Sequence, residues 1–437
     1  MLKRDFWIVS LLLKKIMGKK YTLQDELLNS INYFLDHSNF EENSKGFGLS
    51  LDQTDSKNIC SIAASGFMLI ALVLAAKYKI KDTENCRNLV IKSLESIYDN
   101  VPNFSGFLVH FADFKTAKRL YNCEYSTIDT ALFLAGAIVA DSYFEDKKIS
   151  SLVDKFLNRI DWERFVTTYH GRYVIRMAYN DYNYETKSLR DNIEDGFIYQ
   201  WHMYAEQLFM YYIMSGNESI TEELARKIYN GFRKDNKKIE DKSYIRCPTG
   251  SLFTYQFSGC FFDYEKYEDE DGTDYFENTK KACYDNYYFC KNNKDYLTFK
   301  NGLWGISASD GPHGYKGYGI PPYDYDHNII YTADYVDGTI AIYSLINSIP
   351  YIGNKALDTL SLINEKYDYM IGKYGYYDSM NLDMKWHSHR YYGIDKGSAM
   401  VSIENLNSNL IHDLFTNHRI IQEGIQKLKI RRKHVNT

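Results

Sequence analysis

Proline is scarce in this chain, 6 residues in 437, and no Ser-, Gly- or Pro-rich stretch reads as a linker. A single domain over residues 21–430 is therefore expected, with 1–20 as an N-terminal extension. An excess of one charge is also missing. Lys and Arg number 52 against 57 Asp and Glu, for a formal net charge of −5, which gives nucleic acid or anionic lipid nothing to steer toward. No apolar run reaches the roughly 20 residues a bilayer span needs. Phe6–Leu13 (FWIVSLLL) follows Lys3 and Arg4 in the manner of a signal peptide. It ends in Lys14 and Lys15 instead of a small-residue cleavage site, so a cytoplasmic protein starting at Met1 or Met17 is expected.

The seven cysteines are scattered and include no CxxC pair, which excludes a zinc ribbon or a thioredoxin-like site and leaves buried free thiols in a reducing compartment. No HExxH, GxSxG, GxGxxG or GxxxxGK[ST] occurs, so zincin, serine-hydrolase, dinucleotide and P-loop chemistries are not indicated. Glu268–Asp274 (EDEDGTD) fails as a calcium loop, because aligning Gly272 as its turn glycine puts Tyr267 first and Asn278 twelfth. His387 and His389 lack metal-ligand spacing. Neither a metal nor a cofactor is expected.

Two kinds of helix alternate along the chain. Ile62–Ala76 (IAASGFMLIALVLAA) and Thr130–Ala140 (TALFLAGAIVA) are apolar nearly all round and rich in small residues, so protein must surround them, and their Ala and Gly positions permit close helix approach. Asp82–Tyr98, Lys148–Ile160, Thr221–Phe232 and Asn354–Ile371 carry one apolar stripe each and read as outer helices with a wet face. The period test finds about ten to twelve helices. No repeat of fixed length marks a solenoid, so two concentric rings of helices are expected. Tyr169–Ala178 (YHGRYVIRMA) alternates and reads as a rim hairpin.

Acids and aromatics then single out a few segments. In Cys123–Ala140 (CEYSTIDTALFLAGAIVA), Ser126 and Asp129 fit a helix-capping box, which leaves Glu124 without a structural reason. Tyr199–Met214 (YQWHMYAEQLFMYYIM) reads as an aromatic helix with Glu206 as its only acid, on the face of Trp201 and His202. A carboxyl against apolar walls stays protonated to higher pH and suits a general acid. Trp304–Tyr325 (WGISASDGPHGYKGYGIPPYDY) holds five glycines and five aromatics. A loop that long is usually functional or disordered, and flat aromatic faces beside carboxylates suit a sugar. On that ground Trp304 and the aromatics of Tyr315–Tyr325 are expected to line one cleft with Glu206. Tyr374–Met400, with Asp378, Asn381, Trp386 and Asp395, has the same character.

At ASGFMLIALVLA (64–75), EYSTIDTALFLAG (124–136), YAE (204–206), LFTYQFS (252–258), DYFEN (274–278), LWGISASDGP (303–312), VDGTI (336–340), YGYYDSMN (374–381), GIDKG (393–397) and IEN (403–405), the chain resembles the bacterial glucoamylase-like family. That family includes endo-β-1,2-glucanases of glycoside hydrolase family 144 and a C-terminal domain of cyclic β-1,2-glucan synthases. The collinear likeness runs over roughly residues 22–425. It implies an all-α fold, an (α/α)6 barrel with long Gly- and aromatic-rich loops and a glycan cleft at one end. It also implies a glycoside hydrolase on a β-linked glucan, most simply β-1,2-glucan or its oligosaccharides. Glu124, Asp129 and Glu206 match the family acids, with Asp310 and Gln256 nearby. Trp201, Tyr204, Trp304, His313, Tyr318, Trp386, Asp395 and Glu404 complete the substrate-binding candidates. Departures from the family pattern are YAE for YNE, YQFS for HQYS, VDGTI for DDGTI, and SGNESI (215–220) for a Gly-Ser-Pro-Thr-His-Pro stretch. A catalytically silent glycan-binding barrel and a transglycosylase are the alternatives. A lanthionine-cyclase-like zinc enzyme would need a Cys/His set the chain lacks. Linkage, endo or exo action, stereochemical outcome and oligomeric state are open at this stage.

Overall fold

The computed structural model describes residues 21–239, 242–321 and 335–433. Phe6–Leu13 and the alternative starts, and Tyr323 and Tyr325 of the aromatic loop, lie outside them. Fourteen helices carry the architecture among the described residues: α1 (Leu23–His37), α2 (Ile62–Lys77), α3 (Thr83–Asn100), α4 (Thr127–Phe144), α5 (Lys147–Arg159), α6 (Leu208–Gly216), α7 (Glu222–Tyr229), α8 (Phe253–Phe261), α9 (Tyr275–Asn292), α10 (Ile342–Ile352), α11 (Asn354–Lys366), α12 (Gly393–Ser408), α13 (Leu410–Asn417) and α14 (Arg419–Leu428).

The even-numbered helices up to α12 are inner ones. Each touches the next in the series α2, α4, α6, α8, α10, α12, and α12 touches α2. The odd-numbered helices pack outside: α1 on α2 and α12, α3 on α2, α5 on α4, α7 on α6, α9 on α8 and α10, α11 on α10. The composition explains this sorting. Every residue of α2 except Lys77 is buried, and α4 is buried from Thr127 to Asp141 except Ile128, whereas α3 and α5 bury only one stripe. Each fully buried Leu, Ile or Phe contributes about 1.5–3 kcal/mol relative to exposure. Gly66 and Gly136 let α2 and α4 touch backbone to backbone, since a Cβ on Gly136 would overlap the carbonyl of Gly66. With 18 residues, α4 is longer than the apolar stretch suggests. It has the length and apolarity of a membrane span, and most of it is buried inside the fold.

Short sheets decorate the helix ends. The hairpin Val166–Tyr169/Arg172–Tyr179 forms where alternation indicated it. Strand Arg172–Tyr179 is flanked by Tyr125–Ser126, in register Ser126↔Ala178, and by Phe197–Gln200, in register Gln200↔Arg176. The sequence reading of one helix over Tyr199–Met214 is therefore corrected. Tyr199 and Gln200 end the strand Phe197–Gln200, Tyr199 with a positive φ of 39°, and α6 begins only at Leu208. Tyr, Phe and Trp fit strand and helix alike, so periodicity did not separate the two here. All seven cysteines are buried free thiols.

Candidate active site

The inner helices α2, α4, α6, α8, α10 and α12 all start at the same end, and a cavity of about 470 Å³ opens there. Its wall includes Glu124, Ser126 and Asp129 at the start of α4, Trp201 and Glu206 before α6, Phe253 and Phe257 of α8, Tyr343 of α10 and Asp395 of α12. His110, just before the strand Phe111–Asp113, and Tyr315 join them.

The small sheet sets the positions. Its central strand presents Met177 and Ala178 to the cavity, with Glu124 entering along one edge and Trp201 leaving the other. Thr127 locks the two edges together, donating its hydroxyl to the Met177 carbonyl (2.7 Å) and accepting from Trp201 Nε1 (3.1 Å). Only half of the capping box forms. Ser126 Oγ accepts from the Asp129 N–H at 3.2 Å, while the Asp129 carboxylate faces His110, Oδ1 to Nε2 at 3.7 Å. Glu124 Oε1 meets His110 Nδ1 at 2.7 Å. A histidine thus sits between the two acids, and no sequence signal pointed to it.

The protonation preferences of the acids diverge. Glu206 lies in the turn before α6, on no helical face, partly accessible from the cavity and otherwise walled by protein. Burial, and then the Asp129 carboxylate, push it up to about 8, so it carries its proton at neutral pH. Burial also works to raise Glu124, but its hydrogen bond to His110 and the charge there outweigh it, and Glu124 falls below the ordinary glutamate range. Burial pushes the His110 imidazole down, yet Asp129 and Glu124 more than offset that and bring it to about 9. A second acidic group lies across the cavity. Asp395 is buried there, and burial and the adjacent Asp378 carboxylate push it well up. Burial raises Asp378 as well. Asp52, also missed from sequence, rises to about 6 by burial.

The family described as "Putative glucoamylase" matches residues 198–419, just over half of the chain and including Glu206 and Asp395. The chain belongs to this family. Among relatives of known identity it is similar to the exo β-1,2-glucooligosaccharide sophorohydrolase (non-reducing end) of Parabacteroides distasonis, at 24% identity over 468 aligned positions, covering 95% of this chain. The chain spans 59% of the length of that curated relative. Its fold matches the crystal structure of a "putative glucoamylase" from Bacteroides uniformis, TM-score 0.79 at 21% identity over 96% of this chain and 100% of that one. It also matches an endo-β-1,2-glucanase from Chitinophaga pinensis in complex with sophorotriose and glucose, TM-score 0.78 at 19% identity over 94% and 99%.

Of the residues expected in the cleft from this family's motifs, Glu124, Asp129, Glu206, Trp201 and Asp395 line one cavity. Others do not. Trp304 is fully buried, its Nε1 donating to Thr359 Oγ1 of α11 at 2.8 Å and its ring set edge-on to Tyr287 of α9; it wedges two outer helices apart and does not face the cavity. Tyr204 is buried among Phe232, Tyr255 and Tyr275. Gln256 points to the far side of α8 and donates to the Ser344 carbonyl and Ser348 Oγ of α10. Glu404 is buried at the opposite end of the molecule, paired with Lys77 at the last residue of α2 and accepting from Tyr78. Tyr318 is buried and donates to Asp337 at 3.1 Å. Asp310 is buried and accepts from Ser388 and Arg390. Trp386 is half-buried in a strand paired with Asn381, and His313 is exposed. Among the described residues of the long loop, Tyr315 is the aromatic that reaches the cavity.

Proposed function

We propose that this chain is a glycoside hydrolase that cleaves β-1,2-linked glucan or its oligosaccharides, on a single (α/α)6-barrel domain covering 21–430. The closed cycle of six inner helices with six outside it supports the barrel. The observation that carries the reaction is the split between two carboxyls in one cavity, Glu206 held protonated and Glu124 held ionised. Glycoside cleavage needs such a pair. Glu206 donates its proton to the departing glycosidic oxygen as the C1–O bond breaks. Glu124, with Asp129 beside it, takes a proton from the water that attacks C1, which inverts the anomeric centre. Trp201 and Tyr315 offer apolar faces to a sugar ring. The relatives from P. distasonis and C. pinensis are named for opposite modes, exo and endo, and for the same linkage, so the linkage is the part of their names this reading adopts. A reducing compartment is proposed on the strength of the scattered cysteines.

The test is release of new reducing ends from β-1,2-, β-1,3-, β-1,4- and α-1,4-glucans, with NMR of the first-formed anomer. Glu206→Gln and Glu124→Gln should each lose at least about 100-fold in turnover with the circular dichroism spectrum unchanged. Near-normal turnover by Glu206→Gln would end the acid assignment. Tight glucan binding by a wild-type protein that cleaves none of the four would favour the glycan-binding alternative.

A further inference from the structure

We propose that His110 is a positioning residue of this cleft: its imidazole bridges Glu124 and Asp129 and thereby fixes which carboxyl serves as base and which as acid. The inference rests on the hydrolase reading above and assigns a role to a residue that none of the chain's acidic or aromatic motifs contains.

The geometry is that of a clamp. Nδ1 meets Glu124 Oε1 at 2.7 Å and Nε2 lies 3.7 Å from Asp129 Oδ1, so each ring nitrogen faces a different acid. The ring cannot swing away, since it stacks on Phe111 with centroids 3.8 Å apart and planes 17° from parallel. The main chain is pinned on both sides. The His110 N–H donates to the Glu124 carbonyl at 2.9 Å, and the His110 carbonyl accepts from Ile62 N at the start of α2 at 3.2 Å. Glu124 is thus tied to His110 through both backbone and side chain. Asp129 comes from α4 on the far side of the ring.

Charge follows from this placement. Two acids within ion-pair reach keep the imidazole protonated, against the burial that would discharge it. The other ionisable groups around it are Asp52, from the chain before α2, which adds to the same pull, Arg119 beside Glu124, and Glu206, which faces Asp129 across the cavity. The imidazolium lowers Glu124 and leaves Glu206 beyond its direct reach. Removing the positive charge would leave Glu124 beside the acids Asp129 and Asp52 with no imidazolium between them, and a proton would then return to the base. A tie that merely held the loop in place would not set the protonation of Glu124, and this difference is measurable.

Two measurements separate the cases. In the wild-type protein, the His110 imidazole followed by NMR should titrate well above the ordinary value near 6.5, and in Glu124→Gln it should drop by about one unit or more. In His110→Gln, kcat on the cleaved glucan should fall by about 10-fold or more while KM changes little, and the acidic limb of kcat/KM should move upward by about one unit or more. An imidazole that titrates at its ordinary value, or a variant whose acidic limb stays at the wild-type position, would overturn the proposal even if glucan is cleaved. If the wild-type chain cleaves no glucan, the hydrolase reading fails and the base-and-acid role fails with it, whatever the imidazole does.

Discussion

Glu206→Gln should trade activity for a pH-dependent gain in stability, and the size of that gain follows from the site. In the folded chain burial and Asp129 raise the Glu206 carboxyl from its ordinary 4.5 to about 8. Between those two pH values the native state holds a proton that the unfolded chain has released. Stability therefore falls as pH rises through the window, by about 1.4 kcal/mol per unit. The upper limit over the full window is about 5 kcal/mol. The cavity reaches the carboxyl and solvent screens part of the effect, so about 2–5 kcal/mol is expected. Glutamine keeps the shape and has no proton to lose. In urea unfolding at pH 5, 6.5 and 8, wild type and variant should nearly coincide at pH 5, and the variant should pull ahead at each step upward. A difference independent of pH, or a variant less stable at pH 8 than wild type, would refute the desolvated-acid reading of Glu206.

Trp304→Phe removes a buried hydrogen bond and some volume between α9 and α11; it should cost about 1–3 kcal/mol in unfolding experiments and leave kcat and KM on the cleaved glucan unchanged, whereas a sugar-stacking tryptophan would raise KM. Gly136→Ala places a methyl group into the Gly66 carbonyl and should destabilise by at least about 3 kcal/mol, read as a fall in urea midpoint. Lys396→Met removes the cation paired with the buried Glu26 carboxylate, leaving it the Tyr21 hydroxyl and the Tyr376 N–H, and should cost about 3–5 kcal/mol; the double variant with Glu26→Gln, which keeps an acceptor for Tyr376 N–H, should recover most of the loss. Thiol titration of the native protein should find the seven buried cysteines unreactive until denaturant is added.

The inner helices α2 and α4 were legible because an all-round apolar segment has only one place to go. Glu124 stood out because the capping box did not account for it, and Glu206 because a carboxyl beside apolar walls needs a reason to be there. Trp304 misled for a physical cause. Aromatics in a Gly-rich loop look like a binding platform, but the first part of this loop dives inward, with Asn286 of α9 holding both the N–H and the carbonyl of Ile306. Glu404 misled for a geometric one. It sits nine residues beyond Asp395 on α12, which at 1.5 Å per residue is roughly 13 Å along the axis, enough to carry it from the cleft to the opposite end.

His110 and Asp52 were hidden because what places them, as it also places Asp378, is helix-end accounting between segments distant in the chain. A helix start exposes N–H groups that need acceptors. Ser61 and Ser126 cap α2 and α4 with their own side chains, a signal readable locally. No side-chain cap forms at α6, α8, α10 or α12. Neighbouring segments also supply acceptors to several of the inner helices. The first N–H of α2 takes the His110 carbonyl, that of α10 the Asp378 carbonyl, and that of α12 the Asp52 carbonyl, while Ser307 Oγ accepts from the first N–H of α8. A backbone carbonyl places no demand on side-chain identity, so capping leaves the side chains of His110, Asp52 and Asp378 free for other work. The same six converging helix starts are a positive environment that favours ionised carboxylates. Glu206, in the turn before Leu208, stays protonated there because burial and the Asp129 charge oppose its ionisation. The ring of helix starts gathers the acids, and burial, neighbouring carboxylates and the His110 imidazolium decide which of them keeps its proton.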